Sequence, residues 1–251
     1  SPGHPDHRSI SKHLEKSSLH FSISIDLLQK LIFLDQLERV VREIRKGFSE
    51  SEGALSADDL AQKLQEVFTQ LNEIFYSTIH ISGCLTGVRD ILAIKGYPEL
   101  GNTIFVPPRT PENPKFQLLI DQKTPHAAEI KKILRSLAEE NKSVTAQSLD
   151  ELYKFIHPHL KSFIDQFGIA ATDLIKLYQG LKRYEDEKVQ KYLSEAYTKA
   201  KEILQRMSKV ITRLEEIFTS EELTSIKRTI ESLSEEFGNI QPPQEQPNLQ
   251  S

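Results

Sequence analysis

The chain has 251 residues, 38% of them hydrophobic and 27% charged, which is the balance of a folded globular protein and excludes a disordered or membrane-embedded chain. Its formal net charge is −4 and its cations are interleaved with its anions, so the basic stripe expected of a nucleic-acid-binding protein is missing. Cys84 is the single cysteine, which excludes an intramolecular disulfide and a four-cysteine zinc site and favours a reducing compartment such as the cytoplasm.

The prolines divide the chain into helical and non-helical spans. Six of the twelve prolines lie from Pro98 to Pro125, whereas residues 6–97 and 159–241 contain none. Proline removes a backbone donor and breaks a helix, so we expect the helices in the two proline-free spans. The predicted fold class is therefore mainly all-α: a multi-helix bundle with a small proline-rich β-ribbon.

The predicted bundle occupies residues 19–238 and carries a non-helical insertion at residues 97–123. The polar stretches at residues 1–18 and 239–251 are predicted to be disordered. The longest concentrated apolar run, residues 31–34, is far too short to cross a bilayer, and the polar amino-terminal stretch lacks the apolar core of a signal peptide. We therefore expect no integral membrane insertion.

The first predicted helix follows an ambiguous start. At residues 19–25 apolar and polar side chains alternate, as they do in a half-buried strand. From Leu27 onward the apolar spacing changes to steps of three and four, which predicts an amphipathic helix that Gly47 can end.

A second helix is predicted to begin after Ser56, whose hydroxyl can accept from one of the first free amides. Its apolar face extends to about Ile79. Gly83 and Gly87 then bracket Cys84, and a separate short helix at about residues 86–95 is expected to stop at Gly96.

Residues 97–123 contain the predicted ribbon. Residues 103–106 and 116–120 are short β-prone runs, and the proline-rich tip at residues 107–114 cannot join a helix. An isolated ribbon is marginally stable in water, so we expect this one to lie against the helices.

Helix is predicted to resume at residues 124–125, where proline occupies the first helical position. Ser148 and Glu151 form a capping box that predicts the start of the next helix. That helix is expected to continue to Gly168, with a kink or a restart at Pro158 because a proline inside a helix removes one amide donor.

The clearest periodicity lies at residues 185–218, which are predicted to form the longest helix. Apolar residues alternate steps of four and three as in a coiled coil, and a second adjacent stripe widens the buried face. Ser220 is expected to cap a last helix that ends at Gly238. Three pairs of opposite charge are spaced to interact on the solvent side of the long helix: Glu187 with Lys191, Glu195 with Lys199, and Glu202 with Arg206.

Two groups of side chains could carry chemistry. His157 and His159 look like a metal-binding pair, but residues two apart on a helix point to different sides, which favours a surface or kink-filling role. Cys84 could act as a nucleophile with His80 or His126 as its base, although a free cysteine is more often a small buried hydrophobe. We predict that neither group is essential to activity, and we assign no catalytic residue, cofactor or metal ligand.

The proline-rich tip is the preferred site for a protein partner, through Pro108, Arg109, Pro111 and Pro114. Prolines at this spacing are typical of polyproline II segments that dock on aromatic grooves. Because such a segment is already stiff, binding it costs less ordering entropy than binding a flexible loop. The alternative is a rigid surface connection without a partner.

The chain lacks tryptophan, has one cysteine and polar ends, and shows no catalytic signature. In this general character it resembles the helical domains of secreted, type III-like effectors of intracellular bacteria. The resemblance implies delivery into a host cell and action through protein contacts. We expect a non-catalytic protein-interaction scaffold. The alternatives are a membrane-active helical protein that releases residues 19–34, and an enzyme with an unrecognised active site.

Overall fold

A computed structural model describes residues 6–32, 55–97, 100, 143–144, 146–218 and 220–240. Their helices are α1 (His7–Ile32), α2 (Ala57–Lys95), α3 (Ala146–Leu181), α4 (Glu187–Ile217) and α5 (Glu221–Gly238). Two short strands, β1 (Leu55–Ser56) and β2 (Ser143–Val144), pair antiparallel with Leu55 opposite Val144 and Ser56 opposite Ser143. The described part of the chain confirms a mainly helical bundle.

The helices α2 and α4 pack against each other antiparallel along their lengths. Near the start of α2, Lys63 donates a hydrogen bond of 2.8 Å to Glu216, which lies near the end of α4. At the opposite end, Lys95 donates to Asp186, the residue immediately before α4. These two contacts fix the register of the pair.

The helices α1 and α3 form a second antiparallel pair. His13 Nδ1 lies 3.0 Å from Asp173 Oδ1. Two helical turns further along α1, His20 Nδ1 lies 2.6 Å from Gln166 Oε1. The residue number rises along α1 as it falls along α3, so the two helices run in opposite directions.

The two pairs and α5 enclose one hydrophobic core. His7, at the start of α1, stacks on Tyr97 just beyond the end of α2, with ring centroids 3.9 Å apart. Tyr197 of α4 donates through its hydroxyl to the carbonyl of Phe237 in α5 at 2.6 Å. Six fully buried phenylalanines from four helices fill the interior: Phe21, Phe68, Phe75, Phe163, Phe167 and Phe237.

The structure of α1 corrects two predictions. The predicted disorder of residues 1–18 is wrong from His7 onward, where the helix begins, and the strand-like alternation at residues 19–25 lies within the same helix. Residues 1–5 lie outside the described residues. One stripe of buried positions in α1 recurs in steps of four and three and includes two serines: Ile10, Leu14, Ser17, Phe21, Ser24, Leu28 and Leu31. Ser22 and Ile25 are buried beside this stripe.

These two serines explain why the pattern of α1 misled the sequence analysis. The Ser17 hydroxyl donates to the carbonyl of Ala170 at 2.9 Å, and the Ser24 hydroxyl donates to the carbonyl of His20 at 2.7 Å. A buried hydroxyl costs little when it is hydrogen-bonded, so serine can occupy a core position that hydrophobic periodicity leaves blank.

The helix α2 is continuous over 39 residues, so the predicted separate helix at residues 86–95 is wrong. Gly87 allows α2 to lie close to α4, since a Cβ at that position would be only 2.6 Å from the ring of Tyr192. Both predicted boundaries are confirmed. The helix begins directly after Ser56 and stops at Gly96, whose φ of 144° favours glycine.

The helix α3 is also continuous. It begins at Ala146 and not at Ser148, does not restart at Pro158, and passes through Gly168 to end at Leu181, so those predicted boundaries are wrong. Pro158 removes one amide donor from the helix. Buried apolar side chains on both sides of the proline pack against neighbouring helices and keep α3 continuous there.

The helix α4 lies within two residues of the predicted range at either end, and Asp186 caps it by accepting from the amide of Val189 at 3.0 Å. It has 31 residues against 39 in α2 and 36 in α3, so the prediction that it is the longest helix is wrong. The predicted stripes are buried: Val189, Leu193, Ala196, Tyr197, Ala200, Ile203, Leu204, Met207, Val210, Ile211 and Leu214.

The helix α5 has the predicted boundaries, because the Ser220 hydroxyl accepts from the amide of Glu222 at 3.2 Å and the helix ends at Gly238. The remaining predicted elements lie outside the described residues. They are the continuation of the first helix to Gly47, the ribbon, the helix from residue 124 and the tail beyond residue 240.

Candidate functional site

Only some of the candidates predicted from the sequence lie within the described residues. The proposed contact residues Pro108, Arg109, Pro111 and Pro114 lie outside the described residues, as does His126. Cys84 is described, and it is brought close to two potential partners that belong to different helices.

Cys84 and His80 are four residues apart on α2, so one turn of helix places both side chains on the same face. Glu195 faces them from α4. Its Oε2 lies 3.2 Å from His80 Nε2, and the Cys84 thiol donates to the same oxygen at 3.7 Å. The three ligand atoms all lie within 4.8 Å of one another.

This cluster forms one wall of a cavity of about 530 Å³ between α2 and α4. Cys84 is buried at its base, whereas the side chains of His80 and Glu195 are 45% and 39% exposed. The cluster is therefore accessible from solvent through the cavity. Other side chains that line it include Glu73, Tyr76, Ser77, Tyr192, Lys199 and Glu202.

The protonation of Cys84 decides what the cluster can do. Burial, followed by the charge of Glu195 and the hydrogen bond to it, raises the pKa of the thiol to about 12, and the charge of Lys199 only partly opposes this. The thiol is therefore protonated at neutral pH, whereas the nucleophilic form of cysteine is the thiolate. The geometry is that of a thiol, imidazole and carboxylate cluster without an activated nucleophile.

Sequence analysis found two of the three residues and misassigned the third. The spacing from His80 to Cys84 was visible, but Glu195 was expected to pair with Lys199 on its own helix. Lys199 instead donates to Glu202 at 3.3 Å. Cys84 thus has a carboxylate partner that the local sequence did not indicate, because Glu195 lies 111 residues away in sequence.

Of the predicted pair His157 and His159, His157 has a clear structural role. His157 Nε2 lies 3.2 Å from Glu222 at the start of α5, and its ring stacks on that of Tyr153 with centroids 5.2 Å apart. The Tyr153 hydroxyl also donates to Glu222 at 2.5 Å and is hydrogen-bonded to Ser220 at 2.6 Å. His157 therefore helps to join α3 to the cap of α5, which is a structural role.

A groove of about 820 Å³ lies where α1, α3 and α5 meet. On its apolar floor, Ile169 is 42% exposed and Leu233 is buried beside Gly168. Charged side chains of both signs form the rim: Lys16, Asp165, Lys176, Arg228 and Glu236. The groove therefore combines an apolar floor with a charged rim.

Comparison with known proteins identifies no relative: no family model, no curated protein and no solved structure matches the chain. What the fold itself defines is an all-α bundle with two surface features, the cluster around Cys84 and the groove beside Ile169.

Proposed function

We propose that the protein is a non-catalytic scaffold that binds an amphipathic helix of a partner protein in the groove formed by α1, α3 and α5. The observation that carries this proposal is the exposure of Ile169 on an apolar floor. The groove follows α3 from Ile164 to Lys176, which at 1.5 Å per residue is about 18 Å or roughly three turns of a docked helix.

The charges on the rim fit such a ligand better than they fit a membrane or a nucleic acid. Three cations, Lys16, Lys176 and Arg228, are balanced by three anions, Asp165, Asp173 and Glu236, so the groove has no strong field of either sign. A helix with one apolar face and mixed charges at its edges complements this arrangement, because its apolar face removes Ile169 from water.

The state of Cys84 supports a non-catalytic role. Among the described residues, the Cys84 cluster is the arrangement closest to a nucleophile and base pair, and its thiol is held in the protonated form. An enzyme built on this cluster would need a thiolate at neutral pH.

The membrane-active alternative would require residues 19–34 to leave the bundle. Phe21, Ile25 and Leu28 are completely buried in α1, so their release would open the core. None of the described helices is both long and apolar enough to span a bilayer.

The scaffold proposal extends to the setting in which the protein acts. The resemblance to secreted effectors suggests that the partner is a host protein, and the single cysteine suits the reducing cytoplasm of a host cell. Delivery into a host cell would therefore place the groove in contact with host proteins.

A photo-cross-linking experiment tests the scaffold. The photoreactive residue replaces Ser232, an exposed position on the α5 side of the groove, in the full chain. Host and bacterial cytosol are irradiated in parallel, and the partner labelled only in host cytosol is purified. Failure to label any protein in either cytosol would overturn the scaffold proposal.

Binding of the purified partner then tests the groove. Ile169→Asp should weaken affinity for the partner at least about tenfold, because the complex loses an apolar anchor that the partner would bury. The melting temperature of the free protein should stay unchanged, because Ile169 is exposed there. Ile94→Asp is the matched control, since Ile94 is 86% exposed and lies outside the groove. Equal affinity of Ile169→Asp and the parent would place the contact elsewhere, and replacing residues 107–114 by a Gly/Ser linker would then test the proline-rich tip.

A further inference from the structure

We propose that His80, Cys84 and Glu195 form a zinc-binding site that connects α2 to α4. This site is separate from the groove and does not depend on the scaffold function. Imidazole nitrogen, cysteine sulfur and carboxylate oxygen are the three ligand types that zinc takes in proteins. Across the described residues, this is where three such ligand atoms converge within 4.8 Å.

The distances already resemble the edges of a zinc tetrahedron. Zn–N and Zn–O bonds of about 2.1 Å and a Zn–S bond of about 2.3 Å give edges of roughly 3.4 Å between N and O and 3.6 Å between S and O. The observed separations are 3.2 Å from His80 Nε2 to Glu195 Oε2 and 3.7 Å from Cys84 Sγ to the same oxygen. The third edge, between a ring nitrogen of His80 and Cys84 Sγ, is at most 4.8 Å long.

The charge of the site also fits a divalent cation. Binding replaces the thiol proton by zinc: the S–H bond breaks, an S–Zn bond forms, and the proton leaves to solvent. A cysteine thiolate and a glutamate carboxylate then neutralise Zn²⁺, while His80 binds as neutral imidazole. Lys199 is the nearby cation that opposes binding, and its ammonium donates to Glu202.

Three protein ligands leave the fourth zinc position open. All three ligand residues line the cavity, so water or a small anionic ligand from the cavity can take the fourth position, as in zinc sites that exchange ligands. Zinc competes with the thiol proton of Cys84, so its uptake will weaken as the pH falls. The other charged or ionisable side chains around the cavity are Glu73, Tyr76, Tyr192, Lys199 and Glu202.

The test uses the reduced, tag-free full chain titrated with Co²⁺ and then with Zn²⁺. Because the chain has one cysteine, a thiolate-to-cobalt charge-transfer band can arise only from Cys84. We expect this band and tetrahedral cobalt bands to saturate at one equivalent, zinc to abolish them, and the melting temperature to rise with zinc. About one proton should be released per zinc at neutral pH, because the thiol is protonated in the metal-free protein.

Variants of the three residues distinguish a three-ligand zinc site from metal binding by the Cys84 thiol alone. Cys84→Ser should abolish the charge-transfer band, and His80→Gln and Glu195→Gln should each weaken zinc binding at least about tenfold. His157→Gln is the matched control, because it removes a histidine that faces Glu222 without a cysteine. Melting temperatures of the metal-free variants show whether each one is folded. The proposal is overturned if stoichiometric cobalt gives no thiolate band, or if folded His80→Gln and Glu195→Gln both bind zinc as tightly as the parent.

Discussion

Lys95 and Asp186 join the end of α2 to the start of α4. The Lys95 ammonium donates to the Asp186 carboxylate, which also accepts from the amide of Val189 and thereby caps α4. The hydrogen bond from Lys95 is the largest of the effects that lower the pKa of Asp186 below its ordinary value of 3.8. The Asp186 carboxylate therefore links α2 to α4 and also caps the first turn of α4.

Asp186→Asn should lower the free energy of unfolding at neutral pH, because asparagine keeps the cap and loses the ion pair. A depressed pKa in the folded state contributes stability that is fully present above pH 3.8 and is lost as the pH falls through the folded pKa. The difference between the parent and Asp186→Asn, measured by urea unfolding, should thus disappear in acid and shrink in high salt. A difference that is independent of pH would contradict this role of the charge.

Ile203→Asp should destabilise the protein by roughly 4 kcal/mol or more, since an unpaired carboxylate would enter the core from the buried stripe of α4. Gln205→Asp places the same residue on the exposed side of the same helix and should cost less than about 1 kcal/mol. Thermal unfolding of both variants measures the contrast. A parent-like melting temperature for Ile203→Asp would show that the stripe is not part of the core.

Two glycines in long helices should respond to alanine with opposite signs. Gly168→Ala should stabilise the protein by about 0.5–1 kcal/mol, because the new methyl group would meet Leu233 at an ordinary contact distance of 3.6 Å. Gly87→Ala should destabilise it by about 1–3 kcal/mol, since the methyl group would lie 2.6 Å from the Tyr192 ring. Chemical denaturation of the two variants tests the prediction, and stabilisation of both would show that α2 and α4 are not closely packed at Gly87.

Tyr197→Phe should cost about 1 kcal/mol and loosen the end of α5 specifically. Its hydroxyl donates to the carbonyls of Phe237 and Ile240, at 2.6 and 3.2 Å. Amide hydrogen exchange should become faster at residues 237–240 and stay unchanged in the middle of α4. Uniformly faster exchange would instead point to a general loss of stability.

Cys84 should react with iodoacetamide at least about a hundredfold more slowly than an exposed cysteine at pH 8, because its pKa of about 12 leaves very little thiolate. Glu195→Gln removes the negative charge and should speed the reaction. Exposing the thiol with urea should bring both proteins to the same rate. Rapid labelling of the folded parent would contradict the raised pKa.

Sequence patterns were sufficient for α4 and α5 because their cores are filled by apolar residues at regular spacing and their first turns carry caps such as Ser220. They failed for α1, where Ser17 and Ser24 are buried through hydrogen bonds that a hydrophobicity pattern does not record. They also failed at Gly168, which was taken as a stop signal although α3 continues through it, and around Gly87, where glycine permits close contact between α2 and α4 inside one continuous helix.

The candidate sites could be predicted only in part, for a different physical reason. Local spacing placed His80 beside Cys84 on one helix face, but no local signal places Glu195 opposite them. Side-chain partners on separate helices depend on which helices pair and in what register. That information lies in the packing of the whole bundle.

The pairing of α1 with α3 and of α2 with α4 also has a consequence for the order of folding. His13 meets Asp173 across 160 residues, and Lys95 meets Asp186 across 91, so among the described helices α1 packs chiefly on α3 and α2 packs chiefly on α4. Closing such long loops costs entropy before any contact is gained, which slows folding. During synthesis, α1 and α2 will leave the ribosome before α3 and α4, the described helices on which they pack most extensively, have been made. The nascent first half should therefore be a chaperone client, and release of chaperone should coincide with the emergence of α4.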